Sequence, residues 1–394
     1  MEYAGRMKDL GTETAFEVLA RAKEIEKTGR KVVHLEIGEP DFDTPANISA
    51  AAIKAIKDGY THYGPSPGLM DFRTVIAKHE SREKGIQADF ENVVVTPGAK
   101  PIMFFGILAC IDPGDEVIYP NPGFPIYESV INFIGAKAVP LPLKEEKDFS
   151  FDLGDLKKRI TDKTKMLILN SPQNPTGGVL TEDDLGGIFE LVKGKNIRIL
   201  SDEVYCKILY EGTHRSIASF PGMQERTIIL DGFSKTYAMT GWRLGYGVME
   251  KKLAQHIGRL MTNCNSCTCS FTQIAGIEAL TGPQDDAKKM VAEFKKRRDV
   301  IVKGLNSIEG ISCKLPKGAF YAFPNVKKLT GNSHEFARRL LDEKGVASLS
   351  GTAFGSYGEG YLRFSYANSI ENIQTALGLV AEFVASQTKE TSRR

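Results

Sequence analysis

The chain lacks an excess of either charge, any long apolar run, and any grouping of residues suited to a metal. Its 51 lysines and arginines nearly cancel its 49 aspartates and glutamates, leaving a formal net charge of +2. That balance gives no electrostatic basis for nucleic acid or an anionic membrane as the main partner. No apolar stretch approaches the roughly 18 residues of a membrane span, and the opening Met1-Glu2-Tyr3-Ala4-Gly5-Arg6 has no leader-like pattern. Neither a transmembrane helix nor a signal peptide is expected, and a cytoplasmic setting is the default. Three of the six cysteines cluster as Cys264-x-x-Cys267-x-Cys269, a spacing that suggests metal ligation. No fourth Cys or His lies near them in sequence, so small buried thiols in an irregular segment are the better expectation. The histidines (His34, His62, His79, His214, His256, His334) are scattered, with no His-Glu-x-x-His pair. No metal is expected.

What is present is an alternation of short apolar runs with helical stretches. Strand-like runs fall at 92–95, 116–119, 166–169, 197–200, 227–230 and 245–248. Most are apolar along their whole length, as strands buried on both faces of a mainly parallel sheet should be. Thr181 followed by Glu182-Asp183-Asp184 reads as a capped helix start. The pattern predicts an α/β fold: a large domain whose mainly parallel, seven-stranded sheet is flanked by helices, plus a smaller α+β domain. Near the N-terminus, Ala15, Val18, Ala22 and Ile25 share one helical face that Gly29 can end. After Gly282-Pro283 the texture changes to a long charged helix from Asp285 to Leu305, then strand-like pieces at 319–323 and 361–364. The expected division is an arm and helix over 1–45 packing with the small domain, a large domain over 46–284, and a small domain over 285–394. The tail Gln387 to Arg394 reads as disordered.

In open α/β sheets, ligands bind at the carboxyl ends of the strands, and the residues with chemistry in this chain cluster at such ends. After 92–95 comes Thr96-Pro97-Gly98-Ala99-Lys100-Pro101, a turn into a helix whose free N–H groups can bind an anion. After 166–169 comes Asn170-Ser171-Pro172-Gln173-Asn174-Pro175, a rigid turn that presents the Asn174 amide. After 197–200 comes Ser201-Asp202-Glu203-Val204-Tyr205; a carboxylate at a buried strand end needs a cationic partner, unless Asp202 merely caps a helix. After 227–230 comes Ser234-Lys235-Thr236-Tyr237, with Arg243 eight residues beyond the lysine. An amine that can form a Schiff base, followed by a guanidinium that can clamp a phosphate, suits a phosphorylated carbonyl cofactor.

Together these motifs resemble the fold-type I pyridoxal phosphate-dependent aminotransferases of class I/II, in the aspartate aminotransferase-like branch. The resemblance runs from Gly38-Glu39-Pro40-Asp41-Phe42 to Leu362-Arg363-Phe364-Ser365-Tyr366. It implies that Lys235 holds pyridoxal 5'-phosphate as a Schiff base and then moves the substrate's Cα proton. Asp202 would keep the pyridine nitrogen protonated, so that the ring draws electrons from Cα. Asn174 and Tyr205 would bind the ring's phenolic oxygen, and Phe124, in Pro122-Gly123-Phe124-Pro125, would stack on its face. Arg243 would bind the phosphate with the backbone at Gly98, Ala99 and Lys100. Relatives often carry a serine where this chain has Gly232, so Ser234 is a substitute candidate. Arg363 would pair with the substrate's α-carboxylate, near the Gly38 backbone and Asn174. Tyr63 would reach the phosphate of a partner subunit, which implies a homodimer with shared sites.

The implied reaction is ping-pong transamination between an L-amino acid and a 2-oxo acid, with 2-oxoglutarate the expected acceptor. The donor stays open between aspartate and aromatic or aliphatic amino acids. Lys100 either reads a distal carboxylate or points to solvent, and Thr12 and Thr14 lie where the N-terminal segment can close over a side chain. A carbon–sulfur lyase of the same fold is the alternative. A cofactor-sensing transcriptional regulator is disfavoured, since the chain opens directly on the aminotransferase arm.

Overall fold

The computed structural model describes residues 2–391. Its strands, in chain order, are β1 (Val33–His34), β2 (Val93–Thr96), β3 (Glu116–Asn121), β4 (Lys137–Lys144), β5 (Ser150–Phe151), β6 (Thr164–Asn170) and β7 (Arg198–Asp202). They continue as β8 (Thr227–Gly232), β9 (Gly245–Val248), β10 (Tyr321–Ala322), β11 (Val346–Ala347), β12 (Leu349–Ser350) and β13 (Leu362–Ser365). The main sheet has the order β2-β9-β8-β7-β6-β3-β4, extended at its edge by the two-residue β5. β9 runs antiparallel to both β2 and β8, while β3, β4, β6, β7 and β8 pair in parallel. The sheet is therefore mainly parallel, with seven strands before the short β5 hairpin is added.

Both faces of this sheet are buried. One apolar cluster joins Ile102, Val117, Ile168, Leu200 and Ile228 to the helix Lys251–Cys264. The other face carries Ile118, Leu167, Leu169 and Ile199 against the helix Glu182–Val192. That helix begins as its sequence indicates: Thr181 Oγ1 accepts from Asp184 N at 3.1 Å, and Thr181 N donates to the Asp184 carboxylate at 2.9 Å. β4 escaped the sequence pattern because Pro140 and Pro142 interrupt it. Two residues apart, they leave their missing N–H groups on one side of the strand. The outer edge can tolerate this, because β5 pairs there with Leu143 and Lys144 alone.

The N-terminal helix spans Ala15–Lys27, buries Ala15, Ala22 and Ile25, and is followed by Gly29 at φ +86°. β1 then pairs in parallel with β11, and Leu35 enters a core with Phe294, Phe320, Leu362 and Phe383. A three-stranded sheet of order β10-β13-β12 and the helices Asp285–Asn306 and Ser333–Lys344 complete this side. The last helix continues to Thr391, past Gln387, where the sequence suggested disorder; 392–394 lie outside the described residues. A regular helix fits because Ile373, Ala376, Val380, Phe383 and Val384 form one buried stripe that anchors it.

The cysteine cluster also departs from expectation. Cys264 and Cys269 are exposed and Cys267 is half-buried, because the segment is a surface turn between the helices Lys251–Cys264 and Ser270–Thr281. Among the described residues, no group of three or more His, Cys, Asp or Glu is arranged to hold a metal ion. None of the described helices is long and apolar enough to cross a membrane.

Candidate active site

Register sets adjacent strand ends side by side: Asn170 pairs with Asp202, Asp202 with Leu230, and Gly232 with Gly245. Over these ends opens a cleft of about 560 Å³. Ala99, Lys100, Phe124, Asn174, Asp202 and Tyr205 line it, together with Ser234, Lys235 and Arg243. Gly38 and Arg363 close it from the other side.

The Lys235 amine donates to Gly38 O at 2.5 Å. Burial brings its pKa down to about 8, with Glu39 opposing the shift and Arg363 adding to it. About a tenth of this amine is therefore neutral and nucleophilic at pH 7, far more than for a lysine with an ordinary pKa. Arg243 sits in the left-handed region at φ +51°, donating from Nη1 to Thr240 O at 2.8 Å. Gly98, at φ +83°, lies so close that a Cβ there would meet Arg243 Nη2 at 2.2 Å. A Cβ on Gly245 would meet Ala99 N at 2.3 Å. Two glycines thus let the guanidinium and the N-terminus of the helix Lys100–Cys110 converge, which makes an anion cradle.

Asp202 is buried, and burial raises its pKa to about 6 against the pull of two donors. These are Tyr127 OH, at 2.5 Å, and Val204 N, at 3.3 Å. Asp202 begins no helix; the chain turns after it, so capping does not explain the carboxylate. Tyr205 OH lies 2.6 Å from Tyr321 OH, and burial holds both phenols above their ordinary pKa. Asn174 N donates to Asn170 Oδ1 at 3.0 Å, and Asn174 Oδ1 accepts from Arg363 Nη1 at 3.0 Å. Arg363 also donates to Glu36 O and packs between the rings of Tyr321 and Phe354. Its Nε is buried with no hydrogen-bond partner, so the guanidinium keeps a donor free for a ligand.

Other predicted residues fall differently. Tyr63 is 91% exposed and does not line the cleft of its own chain. Thr14 lines the cleft, whereas Thr12 lies in a separate surface groove. Lys100 neither stands free nor points simply to solvent: its amine pairs with the Glu13 carboxylate. Sequence reasoning missed Glu13, Tyr127 and Tyr321. Tyr127 had a signal, since it follows Phe124 by one helical turn and their rings meet edge to face at 5.6 Å.

The family model described as aminotransferase class I and II matches residues 30–379. The chain is 41% identical to the probable aspartate aminotransferase of Methanocaldococcus jannaschii, covering 89% of this chain and 92% of that protein. It is 39% identical to aromatic-amino-acid aminotransferase 2 of Thermococcus litoralis, covering 88% and 90%. The solved structure of an alanine aminotransferase from Pyrococcus furiosus superposes with a TM-score of 0.92 at 35% identity, covering 98% of this chain and 100% of that one.

The chain belongs to the class I and II aminotransferases.

It is a transaminase of fold type I, and its family uses pyridoxal phosphate. The residues present fit that cofactor. The glycine-lined cradle at Arg243 suits a phosphate, the buried Asp202 carboxylate suits a cationic ring nitrogen, and Lys235 supplies the amine.

Proposed function

We propose that this aminotransferase moves the amino group of an L-amino acid to 2-oxoglutarate by a ping-pong cycle in which Lys235 handles the proton. The observation that carries the reading is the Lys235 amine itself. Burial brings it down to about 8, and it opens into the cleft that also holds Asp202, Arg243 and Arg363. Bound pyridoxal phosphate supplies an electron sink that makes the substrate's Cα–H acidic. Arg243 and the 98–100 backbone would hold the phosphate, Asp202 would pair with the ring nitrogen, Asn174 and Tyr205 would bind the phenolic oxygen, and Phe124 would stack on the ring. Arg363 takes the α-carboxylate on its free Nε and so orients the Cα–H toward the lysine. Lys235 Nζ, neutral above its lowered pKa, then accepts that proton.

The active unit in this reading is a homodimer in the cytoplasm. Ile53, Ile56, Tyr60, Tyr63 and Met70 expose large apolar side chains over one stretch of chain, which supports an interface there. Tyr63 would then serve the partner's site rather than its own. In this reading the described residues up to 45 and from 285 onward make one lobe and 46–284 the other, a division the β1–β11 pairing supports. The relatives' names span aspartate, aromatic amino acids and alanine, so similarity alone does not select the donor.

The test is Lys235→Ala assayed over a panel of amino donors with 2-oxoglutarate. Multiple turnover should vanish while the circular dichroism spectrum is kept; retained turnover would overturn the role. In the cofactor-free protein, the rate of pyridoxal phosphate capture should rise about tenfold per pH unit up to about 8 and then level off.

A further inference from the structure

The proposed roles leave one cation in the cleft without a task. Asp202, Lys235 and Arg243 face the cofactor, and Arg363 takes the α-carboxylate. The other charged groups lining the cleft are Glu13, Glu39 and Lys100. Glu39 accepts from the Thr240 hydroxyl. Lys100 and Glu13 pair with each other, with side chains 47% and 23% exposed. Glu13 belongs to the arm, whose residues 2–12 are exposed, and lies just before the helix Ala15–Lys27. Beside the pair the cleft is apolar, with Phe16, Met103 and Phe124 in its wall. The Lys100 amine also lies 5.4 Å from the centre of the Phe124 ring.

We propose that Glu13 is a specificity-determining residue whose carboxylate is the resident counter-ion of Lys100 and changes places with the side-chain carboxylate of an acidic substrate. With a neutral substrate the pair stays closed, and the cleft offers that side chain an apolar wall and no unpaired charge. With a dicarboxylate, the substrate's distal oxygens take the ammonium, and Glu13 turns out to water. The exchange is cheap because one carboxylate replaces another on the same cation, and because a half-exposed ion pair is weak. An unpaired Lys100 would instead penalise neutral side chains, and a site without it would penalise acids. One cleft can thereby serve both halves of a cycle whose two substrates differ in side-chain charge.

This inference rests on the orientation given under Proposed function, so its test separates the two. Succinate, a dicarboxylate, and butyrate, a monocarboxylate, are titrated calorimetrically into the cofactor-loaded protein, its Glu13→Gln and Lys100→Met variants, and the double variant. Aspartate and phenylalanine are assayed as donors in parallel. Glu13→Gln should strengthen succinate binding and raise kcat/KM for aspartate by roughly two- to fivefold, and should weaken butyrate binding and lower kcat/KM for phenylalanine, which then meet an unpaired ammonium. Lys100→Met should lower both acidic readouts by about tenfold, and Glu13→Gln should then have no effect in that background. An unchanged acidic-to-neutral ratio in Glu13→Gln, or a change that persists without Lys100, would overturn the exchange. Loss of transamination with every donor in the unaltered enzyme would instead overturn the proposed reaction, while the succinate titration would still decide the role of Glu13.

Discussion

Arg363 donates from Nη1 to Asn174 Oδ1 across 3.0 Å, tying β13 to the turn after β6 although the two residues are 189 positions apart. The bond uses the amide oxygen, so the Asn174 NH₂ is left to face the cleft. It also fixes a guanidinium that is wholly buried and stacked between Tyr321 and Phe354. Lysine at position 363 has neither the planar fork nor the stacking surface. Arg363→Lys should therefore lower kcat/KM for L-amino acids by roughly 10- to 100-fold, the loss of about one charge-assisted hydrogen bond. Amines that lack a carboxylate should react as before; an equal loss for both would show that the substitution had damaged the site as a whole.

Tyr127 acts on Asp202 in the same indirect manner. Burial alone would carry the Asp202 carboxyl above its value of about 6, and the Tyr127 hydroxyl at 2.5 Å opposes that rise. Only the ionised carboxylate can pair with a cationic ring nitrogen, so activity falls as pH drops through this group's pKa. Removing the hydroxyl in Tyr127→Phe favours protonation and moves the acid limb of the kcat/KM profile to higher pH. A hydrogen bond to a charged group contributes about 1.5 kcal/mol, which corresponds to roughly one pH unit. An acid limb that stays in place would mean that Asp202 does not set it.

Tyr321 marks the limit of what the sequence discloses. The residues at strand ends were legible because short apolar runs announce buried strands, and a ligand site follows at their carboxyl ends. β4 was not, since Pro140 and Pro142 read as breakers. Tyr321 looked like one more aromatic in a strand, and its contact with Tyr205 spans 116 positions. Glu13 and Lys100 are 87 apart and share no local period. Such contacts are properties of the folded topology, visible only once the arm and the helix Lys100–Cys110 are set against each other. Gly232 is a different case: a Cβ there would lie 3.2 Å from the Cα of Gly245, its partner on the antiparallel β9, a tight contact that suits glycine.

The anion cradle gives a steric prediction. Gly98 holds φ +83°, and a methyl group there would press on Arg243 Nη2 at 2.2 Å. Gly98→Ala both strains the backbone and displaces the guanidinium. Loss of one charge-assisted contact predicts roughly tenfold weaker retention of pyridoxal phosphate, measured by dialysis and fluorescence. Binding of pyridoxal, which lacks the phosphate, should change little. If both weaken together, the substitution acts on the sheet end rather than on the cradle.

Beneath the site, Lys84 sits in a closed ring of charge that the reaction does not use. Its amine lies 2.8 Å from Glu80, 2.9 Å from Glu203 and 3.1 Å from Asp231, with His214 2.8 Å from Glu203. Burial alone would raise Glu203, yet Lys84 and His214 together hold it well below the usual carboxylate range. Burial alone would lower Lys84, yet its three carboxylates hold it well above the ordinary lysine value. Glu203 thus adds stability that is present above its unfolded pKa of about 4.3 and is lost as pH falls through its lower folded value. Lys84 adds stability that is present below about 10.4 and is lost as pH rises through its higher folded value. Lys84→Met leaves buried Glu80 and Asp231 without their cation and Glu203 with His214 alone, which should cost about 3–5 kcal/mol at neutral pH. The variant can relieve that cost by taking up protons, so the gap in urea midpoint between variant and parent should narrow from pH 8 to pH 5. A gap of constant size would assign the loss to packing around the lysine stem instead of to charge.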